Sequence, residues 1–148
     1  MPTPKTPLLT TDCVLFDEAG RVLMVRRKHP PFAGRWALPG GFVDIGETVE
    51  AACRRELMEE TGVRAGTLVL TGVYSDPERD ARGHTCSVAF AGRIRSCPVR
   101  AGDDAGEAAF VADWRRQALA FDHARIIADA EAALSPDGGR ATLGPREK

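Results

Sequence analysis

The chain has 148 residues, 43% of them hydrophobic and 28% charged, enough for one globular domain with a full core and too few for two ordinary ones. Its 20 Lys and Arg against 21 Asp and Glu give a net charge of −1, which excludes bulk attraction to nucleic acid or to an acidic membrane. An anionic ligand must therefore be held by a local basic pocket.

Residues 1–11 are rich in Pro and Thr and are expected to form a flexible arm ahead of a domain over 12–134. Residues 135–148, dominated by Pro, Gly, Arg and Lys, are expected as a disordered tail. Cys13, Cys53, Cys86 and Cys97 form no C-x-x-C pair and no apolar leader follows Met1, so we expect reduced thiols and a cytoplasmic setting. No apolar run approaches a membrane-spanning length. Cys13 to Phe16 and Val22 to Arg26 are apolar runs separated by Asp17-Glu18-Ala19-Gly20, the pattern of a β-hairpin. Arg26, Arg27 and Lys28 then make a basic cluster before a Pro- and Gly-bearing loop over 29–36, which reads as a solvated loop or as an anion contact. In Trp36-Ala37-Leu38-Pro39-Gly40-Gly41-Phe42 the tryptophan reads as core, and the double glycine admits a sharp turn and close backbone approach.

From Thr48 to Thr61 the residues are mostly good helix formers, with Gly62 placed as a left-handed cap. Val49, Ala52, Cys53 and Leu57 supply its apolar face. Glu56, Glu59 and Glu60, spaced i, i+3 and i, i+4, project from one side near the helix C-terminus, where the macrodipole favours cations by about 0.3–1 kcal/mol each. Arg54 and Arg55 can offset part of that repulsion, leaving an ordinary solvated face as one reading. The other is a site for a hard divalent cation, Mg²⁺ or Mn²⁺.

Spacing decides between them. Gly41, Glu47, Arg55, Glu56, Leu57, Glu59, Glu60, Gly62 and Val63 occupy every defined position of G-x5-E-x7-R-E-U-x-E-E-x-G-U, with U aliphatic, so the segment resembles the signature of the Nudix hydrolases. The W-x-L-P-G-G stretch is similar to the family's lead-in. The resemblance, over about Cys13 to Leu134, implies an α/β fold of the Nudix type, an α/β/α sandwich with a mixed β-sheet. It implies Mg²⁺, with Mn²⁺ as the alternative, held by Glu56, Glu59 and Glu60 with Gly40. It further implies Arg55 as the group that orients the glutamates and Glu60 or a loop carboxylate as proton acceptor. Glu47, more than two turns before Glu56, is not assigned to the metal shell. Polyphosphate substrates would draw Arg27, Gly40 and Gly41 into ligand contact.

Leu68 to Tyr74 reads as a further strand, followed by the polar loop Ser75-Asp76-Pro77-Glu78-Arg79-Asp80-Ala81-Arg82-Gly83-His84. This loop is similar to the S-D-P-x-R-D-P-R-G-H loop of the ADP-ribose pyrophosphatase-like branch, with Ala81 in place of proline. By that likeness Arg79 and Arg82 would take phosphate and Asp80 ribose hydroxyls; an ordinary charged turn is the plainer alternative. Thr85 to Phe90 alternates as a half-buried strand continuing through Arg95, and an acidic loop follows over 101–110. Asp104 and Glu107 are both candidates there for a further metal ligand or general base. Asp113 is expected to cap a short helix at Trp114, and Asp122 a helix to about Leu134. Phe121 and His123 are taken as structural. The expected activity is metal-dependent hydrolysis of a nucleoside diphosphate linked to another moiety, ADP-ribose to AMP and ribose 5-phosphate being the reading the loop favours and other such nucleoside diphosphates the nearest alternative. The rivals are a nucleoside triphosphate pyrophosphatase and a non-catalytic ADP-ribose sensor, although the chain after Leu134 leaves no room for a sensor's DNA-binding domain. The expected partner is a small nucleotide, with neither nucleic acid nor membrane; a homodimer is left open.

Overall fold

The computed structural model describes residues 2–135. The strands are β1 (Leu8–Phe16), β2 (Val22–Arg27), β3 (Trp36–Ala37), β4 (Gly40–Phe42), β5 (Val69–Tyr74), β6 (Thr85–Arg93) and β7 (Ala105–Val111). Helix α1 spans Val49–Thr61, helix α2 spans His123–Leu134, and one 3₁₀ turn covers Trp114–Arg116. The central path runs β3-β2-β1-β6-β5, with β4 added on β1 and β7 on β2. Only β1 and β6 run parallel among these pairs, so the sheet is mixed.

Strand periodicity sends alternate side chains to opposite faces, and the two cores follow that alternation. Cys13 and Leu15 of β1 with Phe90 of β6 pack on Cys53 and Leu57 of α1. Val14 and Phe16 with Ala89 and Ala91 pack on Ile126, Ile127 and Ala130 of α2. Helix, sheet and helix therefore form three layers, the expected α/β/α arrangement.

Residues 8–11 depart from the flexible arm expected over 1–11. They lie in β1, where Leu8 and Leu9 register with Thr85 and Cys86, and Thr10 and Thr11 with Phe42 and Gly41. Pairing on both edges fixes a segment whose composition alone suggests a loose end. The tail expected over 135–148 falls outside the described residues apart from Ser135. Helix α1 keeps its expected ends: Thr48 Oγ1 accepts from Ala51 N–H, and Gly62, left-handed at φ 74°, donates its N–H to Met58 O. Neither expected aspartate cap forms through its side chain. Asp113 and Asp122 precede the 3₁₀ turn and α2 without a side-chain cap bond, and the Asp122 carboxylate is taken by Arg79 instead.

Candidate active site

Strand β4 lies against β1 with Gly40 opposite Asp12 and Gly41 opposite Thr11. This places the double glycine in a strand, not in the sharp turn expected. Position 40 needs glycine because backbone lies against it, and Gly41 leaves the Glu56 carboxylate its place. A Cβ on Gly40 would collide with Thr11 O and stand 2.7 Å from Asp12 Oδ1; one on Gly41 would stand 2.5 Å from Glu56 Oε2. Gly40 N–H donates to Glu60 Oε1 at 2.9 Å, bringing the glycine strand onto the last turn of α1.

Arg55 is the hub of the carboxylate side of α1. Its Nε and Nη2 grip Glu47 at 2.7 and 2.9 Å, its Nη1 reaches Glu56 at 3.0 Å and Glu59 at 3.2 Å, and Nη2 also donates to Phe42 O at 3.0 Å. The fork geometry of guanidinium permits this where an ammonium could not. Hydrogen bonds from Arg55 hold Glu47 down at about 2. Glu56 is pushed up, chiefly by burial. Glu60 is raised to about 8, first by burial and then by the negative charges of Glu56, Asp12 and Glu59.

The three helix glutamates do not converge as expected. Among the described residues no group of three or more His, Cys, Asp or Glu side chains is placed to hold a metal ion. Arg55 draws Glu56 and Glu59 to itself, Glu59 with 57% of its side chain exposed, while Glu60 turns to Gly40. The donor chemistry still fits a hard divalent cation. All three donors are carboxylate oxygens, and Glu60, raised by burial and surrounding negative charge, makes no salt bridge within 4.0 Å among the described residues.

This fixes the sign of a pH effect. Between the ordinary value of 4.5 and the raised value of about 8, the folded chain keeps a proton on Glu60 that the unfolded chain has released. The contribution of Glu60 to metal-free stability is therefore expected to fall as pH rises through that window, by roughly 5 °C in Tm after discounting for partial exposure, against an opposing rise from buried His123, whose folded value is lowered. Added Mg²⁺ is expected to stabilise more at the alkaline than at the acidic end. Thermal unfolding of the parent and of Glu60→Gln, with and without Mg²⁺, across pH 5–8 checks both; a metal-free Tm difference, parent minus variant, that rises towards alkaline pH sinks the assignment.

One cavity of about 300 Å³ is lined by Gly40, Gly41 and Glu60 and by Arg27, Arg79, Asp80, Arg82 and Asp104. Arg27 Nε donates to Pro31 O at 2.7 Å, and its Nη atoms have no hydrogen-bond partner among the described residues. Asp80 is buried and held by Arg82, whose Nε and Nη2 donate to it at 3.0 and 2.8 Å. Arg82 keeps the Asp80 carboxyl below its usual range. Arg79 lines the cavity, but its guanidinium, 6% exposed, is committed to Asp122 at 2.7 and 2.9 Å and to Thr85 Oγ1 at 2.8 Å. Removing Asp122 strands a buried cation, so Asp122→Ala and Arg79→Ala are each expected to cost about 2–4 kcal/mol. The double variant should cost less than their sum; additivity in urea unfolding would refute the coupling.

Of the two acidic candidates, Asp104 lines the cavity and Glu107 does not. Glu107 belongs to β7 and not to a loop; opposite Arg26 in the ladder, it accepts from Arg26 Nε at 3.1 Å. Lys28 Nζ donates to Asp103 O at 2.7 Å, tying the Asp104 segment to the end of β2. Sequence reasoning missed Asp12. Its Oδ2 accepts from Ser87 Oγ at 2.5 Å, and His123 Nε2 stands 3.5 Å from its Oδ1. His123 Nδ1 accepts Leu38 N–H at 2.9 Å, so the ring proton sits on Nε2, facing Asp12. Burial holds this histidine below its usual range and therefore neutral. The signal for Asp12 was a charge at an inward position, two and four residues before Val14 and Phe16 on the same face of β1.

Residues 6–133 match the family model described as NUDIX domain, and the chain belongs to the Nudix family. It is 46% identical over 123 residues to an ADP-ribose pyrophosphatase of Methanocaldococcus jannaschii, covering 83% of this chain and 72% of that protein. It is 30% identical over 141 residues to an ADPR responsive transcriptional repressor of Acinetobacter baylyi, covering 88% of this chain but 55% of the repressor. The NUDIX domain of Shewanella oneidensis NrtR, solved in complex with ADP ribose, superposes with a TM-score of 0.82 at 32% identity, over 88% of this chain and 90% of that one.

Proposed function

We propose that this chain is a metal-dependent Nudix pyrophosphohydrolase that cleaves ADP-ribose to AMP and ribose 5-phosphate. One observation carries the reading: a single cavity holds a carboxylate with an alkaline-shifted proton, Glu60, beside arginines suited to a diphosphate, Arg27 and Arg82. The 46% identity to an ADP-ribose pyrophosphatase supports the choice of substrate.

Glu56, Glu59 and Glu60, with Gly40 beside them, are the residues that would hold Mg²⁺ or Mn²⁺. Bound there, the cation offsets charge on the diphosphate and acidifies water. Glu60 Oε1 is fixed by Gly40 N–H, while Oε2 has no partner among the described residues and takes the proton from the attacking water. Without a cation, burial keeps this carboxyl protonated up to about 8; with one bound, Glu60 gives up that proton and is left as a carboxylate able to accept one. Asp104, on the cavity wall with no ion pair among the described residues, is a further carboxylate in reach of the ligand space, whereas Asp80 is held by Arg82 and Asp12 by Ser87; Glu107 is left out because Arg26 occupies it. Arg27 and Arg82 bind phosphate oxygens, Asp80 keeps Arg82 aimed, and Arg79 braces the loop through Asp122. Gly40 and Gly41 let the strand approach α1 without a side chain in the way. No helix among the described residues is long and apolar enough to cross a membrane, and the free cysteines accord with a reducing cytoplasm.

A second reading has one specific support, the similarity to an ADPR responsive repressor: tight ADP-ribose binding without turnover. The deciding assay presents ADP-ribose, NADH, diadenosine polyphosphates and nucleoside triphosphates with Mg²⁺ or Mn²⁺. AMP release selective for ADP-ribose is expected. Pyrophosphate release confined to triphosphates overturns the substrate, and binding without product favours the sensor.

A further inference from the structure

Sequence reasoning took Phe121 as structural, but its ring lines the cavity in a half-buried position. Its backbone is left-handed at φ 51°, a conformation a bulky side chain rarely adopts. Phe32, also left-handed at φ 63°, packs edge-on against it, with ring centroids 5.0 Å apart at 70°. Thus two of the three left-handed non-glycine residues among those described meet where Phe121 lines the cavity, with Phe32 packed against its ring. Backbone strain of this kind persists only where the surroundings over-determine it, and it gathers at ligand clamps.

Two cations lean on the same ring. Arg27 Cζ, from the end of β2, is 5.1 Å from the Phe121 centroid, and Arg82 Cζ, from the 75–84 loop, is 5.6 Å from it. Each guanidinium is anchored on one side by another group: Arg27 by Pro31 O, Arg82 by the Asp80 carboxylate. Held near each other they repel: burial first, and then the charge of Arg82, lowers the basicity of Arg27. The π face of the ring attracts both cations, and with Asp80 paired to Arg82 alone, a second negative charge beside Arg27 would complete the neutralisation of the pair.

We propose that Phe121 is a positioning residue whose ring holds the Arg27 and Arg82 guanidiniums together as a two-cation clamp for the diphosphate of a nucleoside diphosphate ligand. The inference deepens the functional reading above and rests on it for the class of ligand. It assigns the ring no contact with the reacting atoms.

The test is calorimetric binding of ADP and of AMP to the metal-free full chain and to Phe121→Leu, Phe121→Tyr, Arg27→Gln and Arg82→Gln. We expect the unsubstituted chain to prefer ADP. That preference should fall about tenfold in Phe121→Leu and in each arginine variant, and persist in Phe121→Tyr, which keeps the π face. A packing role alone predicts an unchanged preference in Phe121→Leu, since leucine still fills apolar space. That result overturns the clamp, as does an unsubstituted chain with no preference for ADP. Should Phe121→Leu not fold, Phe121→Met replaces it with the same expectations. ADP-ribose hydrolysis is assayed separately on the unsubstituted chain: its absence beside an intact, Phe121-dependent ADP preference overturns the enzymatic reading and upholds the clamp.

Discussion

Glu60→Gln is expected to lower AMP release from ADP-ribose by at least about 10³-fold, because it removes both a proton acceptor and a donor to the cation. The fold should survive. Glutamine keeps a carbonyl oxygen for Gly40 N–H, the 2.9 Å bond that fastens β4 to α1. It also relieves the charge that burial, Glu56 and Asp12 make costly. The metal-free variant should therefore be at least as stable as the parent at pH 8, and its Tm should lack the fall that Glu60 contributes as pH rises. Product analysis and thermal unfolding on one preparation separate these effects. Activity within tenfold of the parent would refute Glu60 as the proton acceptor; loss of activity with loss of folding would refute the claim that its charge is locally unfavourable.

Arg55→Ala should cost about 10²-fold in turnover and about 1–2 kcal/mol in stability. Asp44, Glu47, Glu56 and Glu59 all lie within 3.7 Å of this one guanidinium, and without it they repel one another. The stability figure is kept small because the hub is partly solvated, which screens each pair. Arg55→Lys should recover little, since an ammonium cannot bridge Glu47, Glu56 and Phe42 O together. Steady-state kinetics with metal titration checks this. Full activity in the lysine variant would show that net charge is enough and that the fork geometry is not needed.

Helix α1 was legible because its determinants are local. Thr48, Gly62 and the spacing of Glu56, Glu59 and Glu60 act within a few residues of one another, and the helical repeat turns such spacing directly into geometry. The β1–β2 hairpin was legible for the same reason, through two apolar runs and a turn. The Asp12–Ser87–His123 cluster was not, since it joins residues 75 and more apart in the chain. Arg79 illustrates the limit most sharply: its loop motif suggested a phosphate ligand, yet Asp122, 43 residues away, already takes two of its donors. Glu107 is the mirror case, a loop carboxylate by composition that becomes a strand residue facing Arg26.

The primary sequence alone therefore settled which side chains share a face of α1, that Gly62 ends it in a left-handed cap, and which family of chemistry those spacings serve. It could not settle which charges are spent inside the protein and which are left for a ligand. That depended on pairing β7 with β2 and on packing α2 and the turn before it against the sheet, which brings Glu107 to Arg26, Asp122 to Arg79 and the Phe121 ring to Arg27 and Arg82. Ion pairing depends on distance through space, and distances between residues far apart in the chain exist only once the layers have closed.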